Sequence, residues 1–116
     1  MKKVAVFTGT RAEYGLLYWV IKGLAESPQA ELQLCVGGMH LSPEFGKTVH
    51  QIEKDGFPIV DKMEFLLSSD TPVGITKSMG LALINAADTF ERIKPDMLVL
   101  LGDRFESMAI CQAAMV

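Results

Sequence analysis

The chain has 116 residues, 49% of them hydrophobic, with 11 basic and 14 acidic side chains and a net charge of −3. That length holds one domain with a core of ordinary size. A pI near 5.3 leaves no basic footprint for nucleic acid, and no stretch approaches the ~18 apolar residues of a membrane span, so neither a nucleic-acid nor a membrane partner is expected.

From the amino terminus, Met1-Lys2-Lys3 is followed by Val4-Ala5-Val6-Phe7 before Thr8-Gly9-Thr10-Arg11 interrupts the apolar run, which is too short for the core of a signal peptide. Val4 to Thr8 instead reads as a first strand, continuously apolar and ended by glycine, as strands buried on both faces are. Gly15 to Ser27 is expected to be helical, with Leu17, Val20, Ile21 and Leu24 on one inward stripe and Pro28 just past its end. Glu31 to Val36 alternates polar and apolar residues and is closed by Gly37-Gly38, a second strand.

A short helix from about Glu44 to Asp55 follows, stopped by Gly56 and Pro58, and a third strand lies near Pro58 to Met63. Ser68 to Pro72 loads the start of a long helix that runs to about Lys94, with Ile75, Met79, Ala82, Ala86, Phe90 and Ile93 facing inward. Lys94-Pro95-Asp96 breaks it. Met97 to Leu101 is the fourth strand, and a last helix begins after Asp103.

Strands alternating with helices give an α/β class with a parallel sheet, right-handed crossovers and helices on both faces. With the common order 3-2-1-4, strands one and four are neighbours. The chain stops inside an apolar helix at Ala113-Ala114-Met115-Val116, and the fourth strand would be left at an open edge. It is therefore expected to be the amino-terminal piece of something longer.

Two strand ends carry the same five-residue pattern. Gly9-Thr10-Arg11-Ala12-Glu13 follows the first strand and Gly102-Asp103-Arg104-Phe105-Glu106 the fourth, each reading Gly-x-Arg-x-Glu where a strand turns into a helix. Thr10 with Glu13, and Asp103 with Glu106, have the spacing of a capping box. Capping accounts for those four residues but does not require arginine at the first helical position, where a cation faces the positive end of the helix dipole. An anion, phosphate above all, would offset that cost. Asp103 could position a substrate hydroxyl, act as a base, or simply cap.

His40 stands in the loop after the second strand, on the ligand side of such a sheet, and lone loop histidines are usually surface or hydrogen-bonding residues. His50, inside a helix, is expected to be structural or exposed. Cys35 and Cys111, far apart and without partner spacing, are expected to be small buried hydrophobes in a reducing compartment, which makes the cytoplasm the default location. No pair has metal-ligand spacing, so no bound metal is expected. The first turn lacks Gly-x-Gly-x-x-Gly and the second strand ends without an acid for a ribose, which disfavours a dinucleotide. There is no P-loop either.

The strings Gly9-Thr10-Arg11-Ala12-Glu13-Tyr14-Gly15-Leu16, Gly38-Met39-His40-Leu41-Ser42-Pro43-Glu44-Phe45-Gly46, Ser78-Met79-Gly80-Leu81-Ala82-Leu83 and Gly102-Asp103-Arg104-Phe105-Glu106 together resemble one family. It is that of the hydrolysing UDP-N-acetylglucosamine 2-epimerases of sialic-acid (nonulosonic-acid) biosynthesis, in its amino-terminal part. The resemblance covers nearly all 116 residues. It implies a glycosyltransferase-B-like build of two Rossmann-like domains, of which residues 1–116 are the first and incomplete one.

The reaction implied is elimination of UDP, giving a 2-acetamidoglucal, followed by water addition to yield N-acetylmannosamine. By position, Arg11 and Arg104 would contact the UDP moiety, Gly15 would approach it through backbone, Asp103 would handle protons at the sugar, and His40 would lie near the cleft. No cofactor is implied. A UDP-sugar is the implied partner, with homo-oligomers when the protein is full length, and little or no activity for this chain alone. Three alternatives stay open: the same reaction on a UDP-diacetamido-dideoxy sugar of a legionaminic-acid type pathway, a glycosyltransferase of the same build, and a non-catalytic UDP-binding or assembly module.

Overall fold

The computed structural model describes residues 2–37, 49–63, 71–101 and 105–115. Along the chain these form β1 (Lys2–Thr8), α1 (Arg11–Glu26), β2 (Ala30–Gly37), α2 (Val49–Lys54), β3 (Ile59–Met63), α3 (Pro72–Ile93), β4 (Met97–Val99) and α4 (Phe105–Ala114). Among the described residues all strand pairs are parallel, as expected from the alternation of elements, and the order is β3-β2-β1-β4, the common order assumed above. The register runs Lys2 with Ala30 through Thr8 with Val36 on one side of β1, and Val4 with Met97 through Val6 with Val99 on the other. A bulge between Leu34 and Cys35 shifts β3 against β2.

The period-two geometry of β1 sends its side chains into two cores. Ala5 and Phe7 join Cys35, Met63, Ala82, Ala86, Ile93, Ala109 and Ile110 beneath α3 and α4. Val4 and Val6 join Tyr14, Leu17, Ile21, Leu34, Val36, Val49 and Ile52 beneath α1 and α2. Both faces of the central strands are dry, which explains why β1 reads as one unbroken apolar run. Fully burying each large side chain such as Phe7 or Ile21 contributes roughly 1.5–3 kcal/mol.

Several expectations are corrected. Helix α1 begins at Arg11, where the Thr10–Glu13 capping spacing puts it and four residues before the Gly15 start read from apolar periodicity, because the Thr10 hydroxyl accepts from the Glu13 N–H at 3.1 Å. Val20 is not on the inward stripe; it is 44% exposed, and Tyr14 takes the buried position instead. The β4 ladder ends at Val99, with Leu100 and Leu101 half-buried beyond it. Cys111 is exposed, whereas Cys35 is buried as expected.

Along α3, Ile75, Met79 and Phe90 are only half-buried. The innermost row is Gly74, Ser78, Ala82 and Ala86, small residues every fourth position, continued by Thr89 and Ile93. Small side chains on one ridge let the helix come close to the sheet and to α4. The expected start of α2 near Glu44 lies outside the described residues.

Polar side chains pin α3 from both sides. Gln33 is buried on β2 because its Nε2 donates to the Ile93 carbonyl at 3.0 Å, at the last turn of α3. Asp61 on β3 accepts from the Thr89 hydroxyl and pairs with Arg92 at 3.2 Å. The Cys35 thiol lies in this neighbourhood, and burial, helped by Asp61, pushes its pKa up to about 12. It stays a thiol and behaves as core.

Candidate functional site

The strand order reverses direction at β1: β2 and β3 continue to one side, β4 lies on the other. Ligands of open α/β sheets collect outside the carboxyl ends of the strands at such a reversal. The turn that leaves β1 there is Gly9-Thr10, and it delivers α1 with Arg11 as its first residue.

Glu13 organises this turn from inside. Its side chain is buried, and its Oε1 accepts from the Gly9 N–H at 3.1 Å and from the Thr10 hydroxyl at 3.4 Å. The arrangement differs by one residue from an ordinary capping box, whose carboxylate reaches the N–H of the N-cap itself. Here the carboxylate closes the turn one residue earlier. A Cβ on Gly9 would stand 3.3 Å from Glu13 Oε1 and 3.3 Å from the Phe7 ring, so glycine is what lets the carboxylate come in. Thr8, buried at the strand end, donates its hydroxyl to the Thr10 carbonyl at 3.3 Å.

With Gly9 and Glu13 committed to these bonds, the N–H groups of Arg11 and Ala12 have no partner among the described residues. Both residues are exposed. The turn thus presents two backbone donors, the positive end of a 16-residue helix, and a guanidinium on one surface. That combination suits a phosphate or diphosphate.

Gly15 is exposed one turn further along, with nothing within 4 Å of where a Cβ would be. The other proposed site residues, His40, Asp103 and Arg104, lie outside the described residues. What the fold brings together is the carboxyl ends of β1 and β4 as neighbours, with α1 leaving one and the stretch before α4 leaving the other. His50 is an exposed residue of α2, 3.6 Å from the Glu53 carboxylate. Among the described residues, no three His, Cys, Asp or Glu side chains gather as a metal site would require.

Tyr14 has a role that sequence reasoning does not assign. Its ring is buried under α1, and its hydroxyl donates to Asp55 at 2.5 Å, just past the end of α2. Burial, and then the Asp55 carboxylate, push the Tyr14 pKa upward, so the phenol keeps its proton. The available signal is a tyrosine at the head of the stripe Tyr14, Leu17, Ile21, Leu24, a place where an apolar ring with a polar tip finds a partner when buried.

A cleft of about 660 Å³ lies elsewhere, at the amino end of β4, between Leu83 and Phe90 of α3 and Ala113 of α4. It is at the opposite end of β4 from the Arg11 turn, and its lining offers no guanidinium.

A family profile described as UDP-N-acetylglucosamine 2-epimerase matches residues 22–116. A GDP/UDP-N,N′-diacetylbacillosamine 2-epimerase (hydrolyzing) of Campylobacter jejuni is 39% identical over 115 residues, covering 99% of this chain and 30% of that protein. A UDP-N,N′-diacetylbacillosamine 2-epimerase (hydrolyzing) of Legionella pneumophila is also 39% identical, over 98% of this chain and 30% of its own length. A UDP-N-acetylglucosamine 2-epimerase of Neisseria meningitidis is 30% identical over 94% of this chain and 28% of its own length.

Among solved structures, a UDP-GlcNAc 2-epimerase from Neisseria meningitidis bound to UDP-GlcNAc superposes with a TM-score of 0.75 at 22% identity, over 98% of this chain and 29% of that one. The chain spans about 30% of the length of the curated relatives it matches. On the profile match and the identities, the chain belongs to the UDP-N-acetylglucosamine 2-epimerase family.

Proposed function

We propose that this chain is the amino-terminal, Rossmann-like part of a hydrolysing 2-epimerase that acts on a UDP-linked 2-acetamido sugar, and that its Arg11 turn holds the diphosphate. The observation that carries this is the turn itself. A guanidinium and two N–H groups that have no partner among the described residues stand at the start of α1, at the sheet's reversal point. Arg104, leaving the neighbouring strand end, would supply the second guanidinium, and two cations on one diphosphate would stabilise charge as it develops on the leaving UDP.

In the proposed reaction a base removes the C2 proton as the C1–O bond breaks and UDP departs with the electron pair. A 2-acetamidoglucal results. Water then adds its hydroxyl to C1 while C2 is protonated from the other face, giving the free 2-epimeric sugar. Asp103 is the proposed residue for handling a proton at the sugar, with His40 near the cleft and Gly15 giving the nucleotide room to approach α1. No cofactor takes part in these steps. The rest of the uridine and sugar site belongs to a second domain, so this chain alone is expected to release no UDP from UDP-N-acetylglucosamine. The proposed assembly of the complete protein is a homo-oligomer, in the cytoplasm.

The identities favour a second reading for the sugar. The two relatives at 39% are named for diacetylbacillosamine, whereas the relative named for UDP-N-acetylglucosamine stands at 30%. The test is product analysis with the complete protein, given UDP-N-acetylglucosamine and a UDP-diacetamido-dideoxy sugar separately. A free mannosamine-type product from either, together with UDP, supports the hydrolysing reaction and names the sugar. Transfer of the sugar to an acceptor with no free product would overturn it in favour of a glycosyltransferase.

A further inference from the structure

Two side chains of the first turn of α1 hold that turn in place, and they do so from different directions. Glu13 grips it from within, on Gly9 and Thr10. Tyr14 reaches away from it, across the core beneath α1 and α2, and donates its hydroxyl to Asp55 at 2.5 Å. Asp55 is itself fixed: its other oxygen accepts from Gln51 Nε2 at 3.0 Å, and its N–H donates to the Gln51 carbonyl at 3.0 Å. The next residue, Gly56, has φ +89 and closes the corner into β3, a conformation that favours glycine. A phenylalanine would fill the same buried volume, so the hydroxyl serves the link and not the packing.

Tyr14 also donates its backbone N–H to the Thr10 carbonyl at 3.0 Å. It is therefore bonded at one end to the N-cap residue and at the other to the α2 corner. Arg11 and Ala12, between these anchors, are left facing outward.

We propose that Tyr14 is a positioning residue: its hydroxyl on Asp55 latches the start of α1 to the end of α2 and so sets the direction in which the Arg11 guanidinium and the Arg11 and Ala12 amides face a UDP diphosphate. The inference rests on the nucleotide reading for its ligand, while the latch itself is read separately. The experiment compares wild type with Tyr14→Phe, Asp55→Asn, Asp55→Leu and the Tyr14→Phe/Asp55→Leu double variant, by amide hydrogen exchange and by titration with UDP.

Tyr14→Phe raises exchange at the Gly9 and Glu13 amides on the order of tenfold, as losing one hydrogen bond to a charged group allows. The Leu34 and Cys35 amides of β2 stay as they were. The same variant weakens UDP binding by roughly threefold to tenfold, a fraction of the binding contributed by fixed orientation. Asp55→Asn, which keeps an acceptor oxygen, restores wild-type behaviour. Asp55→Leu matches Tyr14→Phe, and the double variant is no worse than either.

Exchange that rises evenly through α1 and the sheet, or not at all at Gly9 and Glu13, would overturn the latch. UDP affinity unchanged in Tyr14→Phe while wild type binds would overturn the positioning role. A wild type that fails to bind UDP while the amide effect persists would remove the nucleotide reading and leave the latch standing.

Discussion

Helices α1 and α3 start in the same way and differ in what else stands there. Each has an extended threonine at the N-cap, Thr10 or Thr71, whose hydroxyl accepts from the N–H three residues on, at 3.1 Å in both cases. At α3 the next residue is Pro72, which suits the first helical position, and the third is Gly74, which supplies no side chain. At α1 the corresponding positions carry Arg11 and the buried Glu13. The proline start shows what capping needs. The extra carboxylate and guanidinium at α1 exceed it, and the guanidinium is placed against the dipole. The comparison separates a helix start made of a threonine cap and a proline from one that adds a buried carboxylate and a guanidinium to the cap.

The largest break in that comparison is Glu13→Ala. It strands the buried Gly9 N–H and removes packed volume at once, and should destabilise the chain by about 3 kcal/mol in urea unfolding. Glu13→Gln, which keeps an acceptor for Gly9, should cost markedly less. A next, smaller effect sharpens the comparison directly. Thr71→Ala should cost about 1 kcal/mol, the worth of a cap, whereas Thr10→Ala should cost about 2 kcal/mol because the Thr10 hydroxyl also donates to Glu13. Equal costs would mean that the Glu13 contact adds nothing to the α1 cap.

At the far end of α3, Lys94 caps the helix with φ 44, a left-handed conformation that a side chain disfavours. Lys94→Gly should therefore raise stability by about 0.5–1 kcal/mol, read as a shift of the urea midpoint. The smallest change is expected at Arg11. Without ligand, Arg11→Ala should leave stability unchanged or raise it by a few tenths of a kcal/mol, best seen at low salt, since it removes a cation from a helix amino terminus. A clear loss of stability would assign Arg11 a structural partner instead.

Much of the fold is legible in the chain. The unbroken apolar run Val4–Phe7 and the helical patterns between strands give a parallel sheet, whereas the strand order is assumed to be the common one and is fixed by no feature of the sequence. The Thr10 cap is legible too. Periodicity places the start of α1 late because the residues that open it, Arg11, Ala12 and Glu13, are not on an apolar period; hydrogen bonds, not hydrophobicity, fix that boundary. Val20 departs from expectation because it lies at the edge of the stripe, where helical period alone does not decide exposure. Gln33 in the core and Tyr14 on Asp55 depend on partners 60 and 41 residues away, which no local pattern records. Of the candidate site, Arg11 and Gly15 stand on α1 as described, while His40, Asp103 and Arg104 lie outside the described residues and remain proposals.

The central claim is that the turn after β1 is an anion site and not merely a cap. Calorimetric titration of the chain with UDP and with uridine, for wild type, Arg11→Ala and Arg104→Ala, tests it most directly. The account predicts that wild type prefers UDP to uridine and that each arginine variant loses tenfold or more of its UDP affinity, about 1.4 kcal/mol, the scale of a charge-assisted contact to phosphate. Uridine binding should not respond to either substitution. UDP affinities that are equal in wild type and both variants would contradict the account and return the turn to capping alone.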